Sequence, residues 1–344
     1  MRCWTASRGS CGPMRSVAMP DEFSLIARLF SPLTRGYEGA LGLTDDAALL
    51  DGPGDSQWAI TTDALVAGVH FLPDDPPDLI ARKLLRVNLS DLAAMGAVPF
   101  AVLLATCFPA NVDEAWLEHF AAGLNADCDA YRLVVIGGDT VATPGPLTLA
   151  VTAIGSVPRG QALLRSNARA GDDIWVSGTI GDAAFGLTVA KGGGGDLAPA
   201  WAAQLLDRYR LPSPRTDLGP QLRGLVHAAM DVSDGLVADL GHICETSGLG
   251  ARVDAGRVPL SPAAGAAMAR GLGGLDKALT GGDDYELLFT AAPDRADAVA
   301  GLSEKLGLRL TRIGRMISGQ GVAVVGDDGC PMRLAAGGYR HFSE

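Results

Sequence analysis

Six short acidic clusters, spread over most of the chain, constrain its fold more than any other feature. They read LTDDAALL (Asp45, Asp46), TTDALVAGVHF (Asp63), NLSDLAAMGA (Asp91), IGGDT (Asp139), DVSDGLVADLGH (Asp231, Asp234) and GGDDYELLF (Asp283, Asp284, Glu286). Each places a carboxylate beside Gly, Ser or Thr at the border of an apolar run, a position typical of strand ends and helix starts. We therefore expect a fold that gathers residues distant in sequence into one site.

The length and composition indicate a globular protein of two domains. Hydrophobic residues make up 48% of the 344 residues and charged residues 19%, which leaves little room for long disorder. The first 18 residues lack the apolar stretch of a signal peptide, and we interpret 1–18 as a disordered extension or as sequence upstream of a start at Met19. A loop at 158–160 predicts an N-terminal domain over 19–157 and a C-terminal domain over 158–344.

Charge and cysteine usage exclude several classes of partner. The net charge of −11 argues against a nucleic-acid surface, which requires clustered lysine and arginine. No apolar run reaches the length of a membrane-spanning helix, so we expect no membrane partner. The six cysteines form neither a CxxC pair nor a zinc-binding spacing, which is typical of reduced thiols and predicts a cytoplasmic protein.

Strand-like and helix-like segments alternate along the first half. Residues 47–50 and 58–62 predict neighbouring strands joined by a turn, and 77–95 has the apolar spacing of a helix. Residues 98–107 and 133–136 are interpreted as buried strands, the second directly before the GGD triplet. Because hairpin-like pairs occur among these segments, a mixed α+β fold fits better than a parallel doubly wound sheet.

The chemistry of the clusters favours metal-assisted binding of phosphates. The chain has no GxxxxGK[ST] motif, so carboxylates that bind phosphate groups would do so through Mg²⁺, which prefers oxygen ligands. Burying both Asp45 and Asp46 without a cation would be costly. A bound divalent cation also inverts the local charge, so an acidic protein can still bind an anionic substrate.

Each cluster, taken alone, also has an ordinary structural explanation. Paired aspartates and GGD triplets are common in turns, Asp91 would suit a helix surface, and Asp231 would suit a helix N-cap. A lone histidine such as His70 is more often structural than functional. Six such clusters in one chain favour a shared site over six independent turns.

The motifs together resemble those of the thiamine-monophosphate kinase family, within the aminoimidazole ribonucleotide synthetase superfamily. The similarity runs from about residue 21 to 342, and NLSDLAAMGA and TTD…GVHF are its most specific parts. The resemblance implies two α/β domains of the aminoimidazole ribonucleotide synthetase type, with the active site in the cleft between them. It also implies a homodimer, formed by pairing strands of the N-terminal domain, and a C-terminal α/β sandwich.

The activity implied by this resemblance is the last step of thiamine diphosphate biosynthesis. ATP would donate its γ-phosphoryl group to thiamine monophosphate, with several Mg²⁺ ions as cofactors. We expect direct in-line transfer without a catalytic side chain, because the acceptor is a phosphate oxygen already ionised at neutral pH.

The resemblance also implies a set of site residues. The implied metal ligands are Asp46, Thr61, Thr62, Asp63, Asp91, Asp139, Asp231 and Asp234. The residues implied to contact ATP are Gly138, Asp139, Arg165 and Ser233. Those implied to face thiamine monophosphate are His70, Asp283 and Tyr339. Two departures from the family pattern are Thr44 in place of Gly and Asp283 in place of Glu.

Three alternatives stay open at this point. Another ATP-using member of the superfamily, such as a selenophosphate synthetase, would carry a reactive cysteine; Cys11 lies outside the patterned region and lacks the expected lysine nearby. A non-catalytic divalent-metal-binding module would carry EF-hand-type loops, and none is present. A metal-dependent phosphohydrolase would use water as the acceptor in place of thiamine monophosphate.

Overall fold

The structure, a computed structural model, describes residues 22–326, 328–334 and 338–339. The predicted extension at 1–18 lies outside the described residues. The chain folds into two α/β regions, one built on a five-stranded sheet and the other on a six-stranded sheet. This confirms the mixed α+β class, whereas the domain boundary at 157/158 stays a prediction.

The N-terminal region is built on a mixed sheet with the strand order β1-β2-β5-β3-β4. Its strands are β1 (Ala48–Asp51), β2 (Ser56–Val66), β3 (Val98–Pro109), β4 (Val134–Thr143) and β5 (Thr148–Pro158). β1 and β2 pair as antiparallel neighbours, as predicted, and only the β3–β4 pairing in this sheet is parallel. β1 and β4 therefore form the two edges.

Helices cover one face of this sheet. They are α2 (Pro77–Ala94) and α3 (Glu114–Tyr131), whereas the short α1 (Glu22–Leu25) has no buried residue, and its Phe23 contacts His242 of the C-terminal region. α2, which the apolar spacing predicted, buries Leu84, Leu89 and Leu92 completely against the sheet. Sheets that carry helices on one side only leave their other face to solvent or to a partner.

The uncovered face corrects two expectations of burial. Trp58, Val98, Phe100 and Leu103 are all more than one-third exposed, so β3 is only half-buried. β4 is exposed along almost its whole length, and Gly137–Asp139 lie within this strand rather than after it. Apolar composition indicated burial here, but the strand lies at a sheet edge, and no helix among the described residues covers its outer face.

The C-terminal region is built on a sheet with the order β11-β8-β10-β6-β9-β7, in which only β8 and β11 pair in parallel. Its strands are β6 (Asp173–Ser177), β7 (Ala228–Asp231), β8 (Gly250–Asp254), β9 (Leu287–Ala291), β10 (Leu310–Ile317) and β11 (Gly321–Val325). Its helices are α4 (Asp182–Ala190), α5 (Pro199–Arg210), α6 (Gly219–Leu222), α7 (Leu236–Ser247), α8 (Pro262–Ala269), α9 (Leu275–Thr280) and α10 (Ala296–Leu306).

The helix α2 joins the two regions. Its Ala93 and Ala94 belong to a core cluster that is otherwise made by the C-terminal region, including Trp175 and Phe289. Because its preceding turns pack in the core of the N-terminal region, one helix faces both sheets. In the part of the chain that the structure describes, no helix is long and apolar enough to cross a membrane.

Candidate active site

Three aspartates from distant parts of the chain meet beside α2. Asp46 lies two residues before β1, Asp91 lies in the last turn of α2, and Asp231 is the final residue of β7. One carboxylate oxygen from each lies within 4.8 Å of the others, so the fold brings together three of the predicted metal ligands. We call these three residues the carboxylate cluster.

Neighbouring donors fix two members of the carboxylate cluster. Thr61, on the face of β2 that is covered by α2, donates its hydroxyl hydrogen to Asp91 Oδ2 at 2.7 Å. The Arg165 guanidinium pairs with Asp46 Oδ1. The backbone N–H of Arg165 also donates to Asp45 Oδ1 at 2.8 Å, which holds the paired aspartates and the arginine together. The predicted ATP residue Arg165 therefore borders the predicted metal site.

The carboxylate cluster has more negative charge than its surroundings balance. Burial and, less strongly, the Asp46 charge together raise the pKa of Asp231 to about 8, against the opposing effects of the Ser90 hydroxyl and of Arg165. In the described part of the chain, Oδ2 of Asp46 and Oδ2 of Asp231 are buried without a hydrogen-bond partner. Unpaired buried oxygens are costly, and a hard divalent cation is the ligand that would satisfy them.

Asp63 lies next to this cluster, and α2 positions its backbone. Burial raises the pKa of Asp91 well above its ordinary value, and the Asp63 charge is the largest electrostatic contribution. The Asp63 N–H donates to Oδ1 of Asn88 at 3.0 Å, while the Asn88 amide donates to the Leu84 carbonyl. Sequence reasoning missed Asn88, although a fully buried amide on an apolar helix face is itself a signal of a specific partner.

Thr62 lies outside the carboxylate cluster. Side chains alternate along β2, so Thr62 points to the exposed face, where its hydroxyl donates to the Val151 carbonyl at 3.1 Å. The Thr152 hydroxyl donates in turn to Thr62 Oγ1. Its hydroxyl is thus directed away from Asp91, whereas that of Thr61 is directed towards it.

Gly138 and Asp139 also lie away from the cluster within the chain. The pairing β2-β5-β3-β4 separates Asp139 from β2 by three strand spacings, about 14 Å. Gly138 has φ +154°, and a Cβ there would lie 1.8 Å from the Leu104 carbonyl oxygen. The glycine is therefore required by strand packing. Asp139 Oδ1 accepts the N–H of Thr140 at 2.9 Å.

Ser233 and Asp234 lie in the loop between β7 and α7. The Asp234 N–H donates to Asp239 Oδ2 at 3.2 Å, and its carbonyl accepts the N–H of Tyr339 at 3.0 Å. The Ser233 carbonyl accepts the N–H of Asp283 at 2.7 Å. This loop therefore connects the carboxylate cluster, through Asp231, to two of the predicted substrate residues.

The predicted substrate residues His70 and Asp283 meet at a buried lysine. Lys83 Nζ donates to Asp283 Oδ2 at 2.8 Å and to the His70 carbonyl at 3.1 Å. Nδ1 of His70 accepts the N–H of Val66 at 3.0 Å, which fixes the ring. Sequence reasoning missed Lys83. The feature that could have pointed to it is the position of a lysine among the apolar residues of α2.

The other two acids of the GGDDYE segment are paired inside the protein. Glu286 is fully buried and accepts hydrogen bonds from Arg208 at 2.8 Å, Arg215 at 2.6 Å and Ser177 at 2.6 Å. Asp284 accepts the backbone N–H of Gly181 at 2.8 Å. Both carboxylates therefore stabilise the C-terminal region and do not line the carboxylate cluster.

Comparison with known proteins identifies the family. The model of the AIR synthase related protein N-terminal domain matches residues 44–157, and that of the corresponding C-terminal domain matches 169–327. Thiamine-monophosphate kinase from Caulobacter vibrioides is 44% identical over 336 residues, which cover 96% of this chain and 94% of that protein. The chain belongs to the thiamine-monophosphate kinase family. It is therefore an enzyme of the kinase class.

Solved structures of this family share the fold. The structure of thiamine-monophosphate kinase from Stenotrophomonas maltophilia K279a is 46% identical, with a TM-score of 0.74 over 89% of this chain and 98% of that one. The structure of AaThiL complexed with AMPPCP and TMP is 30% identical, with a TM-score of 0.82 over 95% of this chain and 100% of that one. The family and the fold that the motifs predicted are both confirmed.

Proposed function

We propose that this protein transfers the γ-phosphoryl group of ATP to thiamine monophosphate, giving thiamine diphosphate by direct in-line attack of the acceptor phosphate. The carboxylate cluster carries the proposal, because it gathers three acidic residues and two unpartnered oxygens beside a partly buried arginine. Family membership over almost the whole chain supports the substrate, and AaThiL was solved with AMPPCP and TMP.

The residues of the cluster fit Mg²⁺. Asp46, Asp91 and Asp231 offer oxygen donors only, and two of those oxygens are buried without a partner in the described ranges. When bound there, Mg²⁺ supplies neutralisation of the phosphate oxygens between which the phosphoryl group moves. Asp63, Asp139 and Asp234 remain proposed ligands of further ions.

The protein's own groups bind and orient the two substrates in this proposal. Arg165 Nε is a buried donor that has no partner among the described residues, so it can donate to an ATP phosphate oxygen. Asp46 holds the guanidinium in place from one side. His70 and Asp283, at the Lys83 end of the cleft, orient thiamine monophosphate, whose ionised phosphate requires no general base.

We also propose that the protein acts as a homodimer formed through β4 and the uncovered sheet face. Val134, Val135 and Ile136 are 57%, 50% and 57% exposed on an edge strand, an arrangement that invites strand pairing. Ile136→Lys would place a charge in this contact, and native mass spectrometry should then find monomer. A dimer that persists in this variant would exclude β4 as the contact.

A cytoplasmic location is part of the same proposal. It is supported by the free thiols of Cys107, Cys128, Cys244 and Cys330, which form no disulfide among the described residues. Fractionation of cells that express the protein tests it.

The decisive assay combines ATP, Mg²⁺ and thiamine monophosphate and separates the products. We expect thiamine diphosphate and ADP in equal amounts from the wild type, and almost none from Asp46→Asn. No thiamine diphosphate from the wild type would refute the proposed activity. Incubation with labelled ATP and no acceptor should leave the protein unlabelled, since a phosphorylated protein would contradict direct transfer.

A further inference from the structure

Lys83 is a buried ammonium group that contacts three separate segments. Its side chain is 3% exposed. Nζ donates to Asp283 in the turn before β9 and to the His70 carbonyl in the loop after β2. Nζ also lies 4.3 Å from the centroid of the Tyr209 ring, on α5. One side chain of the N-terminal region therefore binds two elements of the C-terminal region and one loop of its own.

Lys83 and Asp91 both lie on α2. They are eight residues apart, which is a rise of about 12 Å and a net turn of about 80° around the helix axis. Asp91 belongs to the carboxylate cluster, and Lys83 holds the His70–Asp283 pair. A single helix thus fixes these two groups of residues at a set separation.

The turn that Lys83 holds has an unfavourable backbone conformation. Gly282, Asp283 and Tyr285 have φ of +64°, +66° and +50°, in the left-handed region that residues other than glycine rarely adopt. The Asp283 N–H is held by the Ser233 carbonyl, and the Tyr285 N–H by the Val232 carbonyl at 2.8 Å. Such a conformation persists where surrounding contacts fix it, and Lys83 supplies the contact to the Asp283 carboxylate.

We propose that Lys83 is a positioning residue for the acceptor substrate. It holds the Asp283 turn of the C-terminal region against the His70 loop of the N-terminal region and so sets the width of the acceptor end of the cleft. It acts through these two residues and not through the ATP end, where Arg165 and the carboxylate cluster lie. The inference rests on the proposed function, in which His70 and Asp283 face thiamine monophosphate.

Replacement by an uncharged side chain of similar length tests the inference. Lys83→Met should raise KM for thiamine monophosphate about tenfold, a size typical of coupling between contacting groups, and change KM for ATP less than about twofold. Lys83→Arg, which keeps the charge, should recover part of the loss. Equal increases in both KM values, or a lower Tm with both KM values unchanged, would overturn the positioning role.

Lys277→Met provides a matched control. Lys277 also packs over an aromatic ring, 5.3 Å from the Phe185 centroid, and donates to Thr188 and to the Leu272 carbonyl. This substitution removes the same chemical group, from α9 of the C-terminal region, without touching His70 or Asp283. We expect neither KM to change, and a rise in KM for thiamine monophosphate equal to that of Lys83→Met would overturn the inference.

A double-mutant cycle separates action through Asp283 from any other effect. If Lys83 acts through the carboxylate, adding Lys83→Met to Asp283→Asn should raise KM for thiamine monophosphate less than about twofold further. If the two single increases in KM multiply in the double variant, the two residues act independently, which would overturn the proposal. If Lys83→Met does not fold, Lys83→Gln enters the same cycle. An inactive wild type would refute the proposed function. An active wild type whose KM for thiamine monophosphate is unchanged by Lys83→Met would refute only this inference.

Discussion

The carboxylate cluster and the GGDDYE segment look alike in sequence and differ in what surrounds them. Glu286 has two arginines and a serine, Asp283 has a lysine, and Asp284 has a backbone N–H. The cluster of Asp46, Asp91 and Asp231 has one arginine for its three carboxylates. An acid whose oxygens have enough partners within the protein stabilises the fold or positions a neighbour, whereas carboxylates that outnumber their partners are suited to a metal ion.

The largest expected effect follows from removing a cluster charge. Asp91→Asn should lower kcat by more than about 100-fold, since even residues that only support a metal ligand often cost 10- to 100-fold. It should not lower Tm in Mg²⁺-free buffer, because it removes one of several repelling carboxylates. Steady-state kinetics and thermal unfolding measure the two effects, and activity within tenfold of wild type would place Asp91 outside the metal site.

For Glu286, which is paired with two arginines, we expect a substitution to lower stability, the opposite of the effect expected for Asp91. Glu286→Gln should lower the free energy of unfolding by about 3–5 kcal/mol, because it leaves the Arg208 and Arg215 charges buried without a carboxylate. Urea unfolding measures this change, with Asp91→Asn as the comparison. A loss below about 1 kcal/mol would show that the pairing contributes little.

Asp284 is intermediate between the carboxylate cluster and the acids paired with lysine or arginine, because its partner is a backbone N–H. It predicts that the free energy of unfolding depends on pH. Burial raises its pKa to about 8, against the lowering effect of the Gly181 N–H. Between about pH 4 and pH 8 the unfolded chain releases a proton that the folded chain retains, so this group's contribution to stability falls as the pH rises. Asp284→Asn should flatten the decline in the free energy of unfolding between pH 5 and pH 8. An unchanged slope would contradict the raised pKa.

The sequence predicted which residues meet better than where in the elements they lie. Asp91 lies in a helix, as the spacing over 77–95 predicted, but Asp231 ends a strand instead of capping a helix, and Asp63, expected at a strand end, lies inside β2. The reason is that a motif indicates which residue types share a site, whereas the position of a residue within a helix or strand depends on how the elements pack. Asp139 was misplaced because β4 reads as buried until its edge position in the sheet is known.

Lys83 shows a second limit of sequence reasoning. A lysine within α2 predicts a solvated side chain by composition alone. Only the contact with Asp283, 200 residues away, reveals its role. Long-range pairs of this kind depend on how the two regions pack, which no local pattern encodes.

The smallest expected difference lies between neighbouring threonines. Thr61→Val removes a hydrogen bond to the Asp91 carboxylate and should lower kcat/KM about tenfold, the size expected for a bond to a charged group. Thr62→Val acts on the opposite face of β2 and should change kcat/KM less than about twofold. Equal losses would mean that both faces of the strand contribute to the site.

Binding of Mn²⁺, a stand-in for Mg²⁺, tests the distinction between the two acidic groups most directly. Electron paramagnetic resonance can count the Mn²⁺ ions held by the protein with a non-hydrolysable ATP analogue present. We expect Asp91→Asn to lose bound Mn²⁺, whereas Asp283→Asn should bind as many ions as the wild type. Unchanged binding by Asp91→Asn, or a loss in Asp283→Asn, would contradict this distinction.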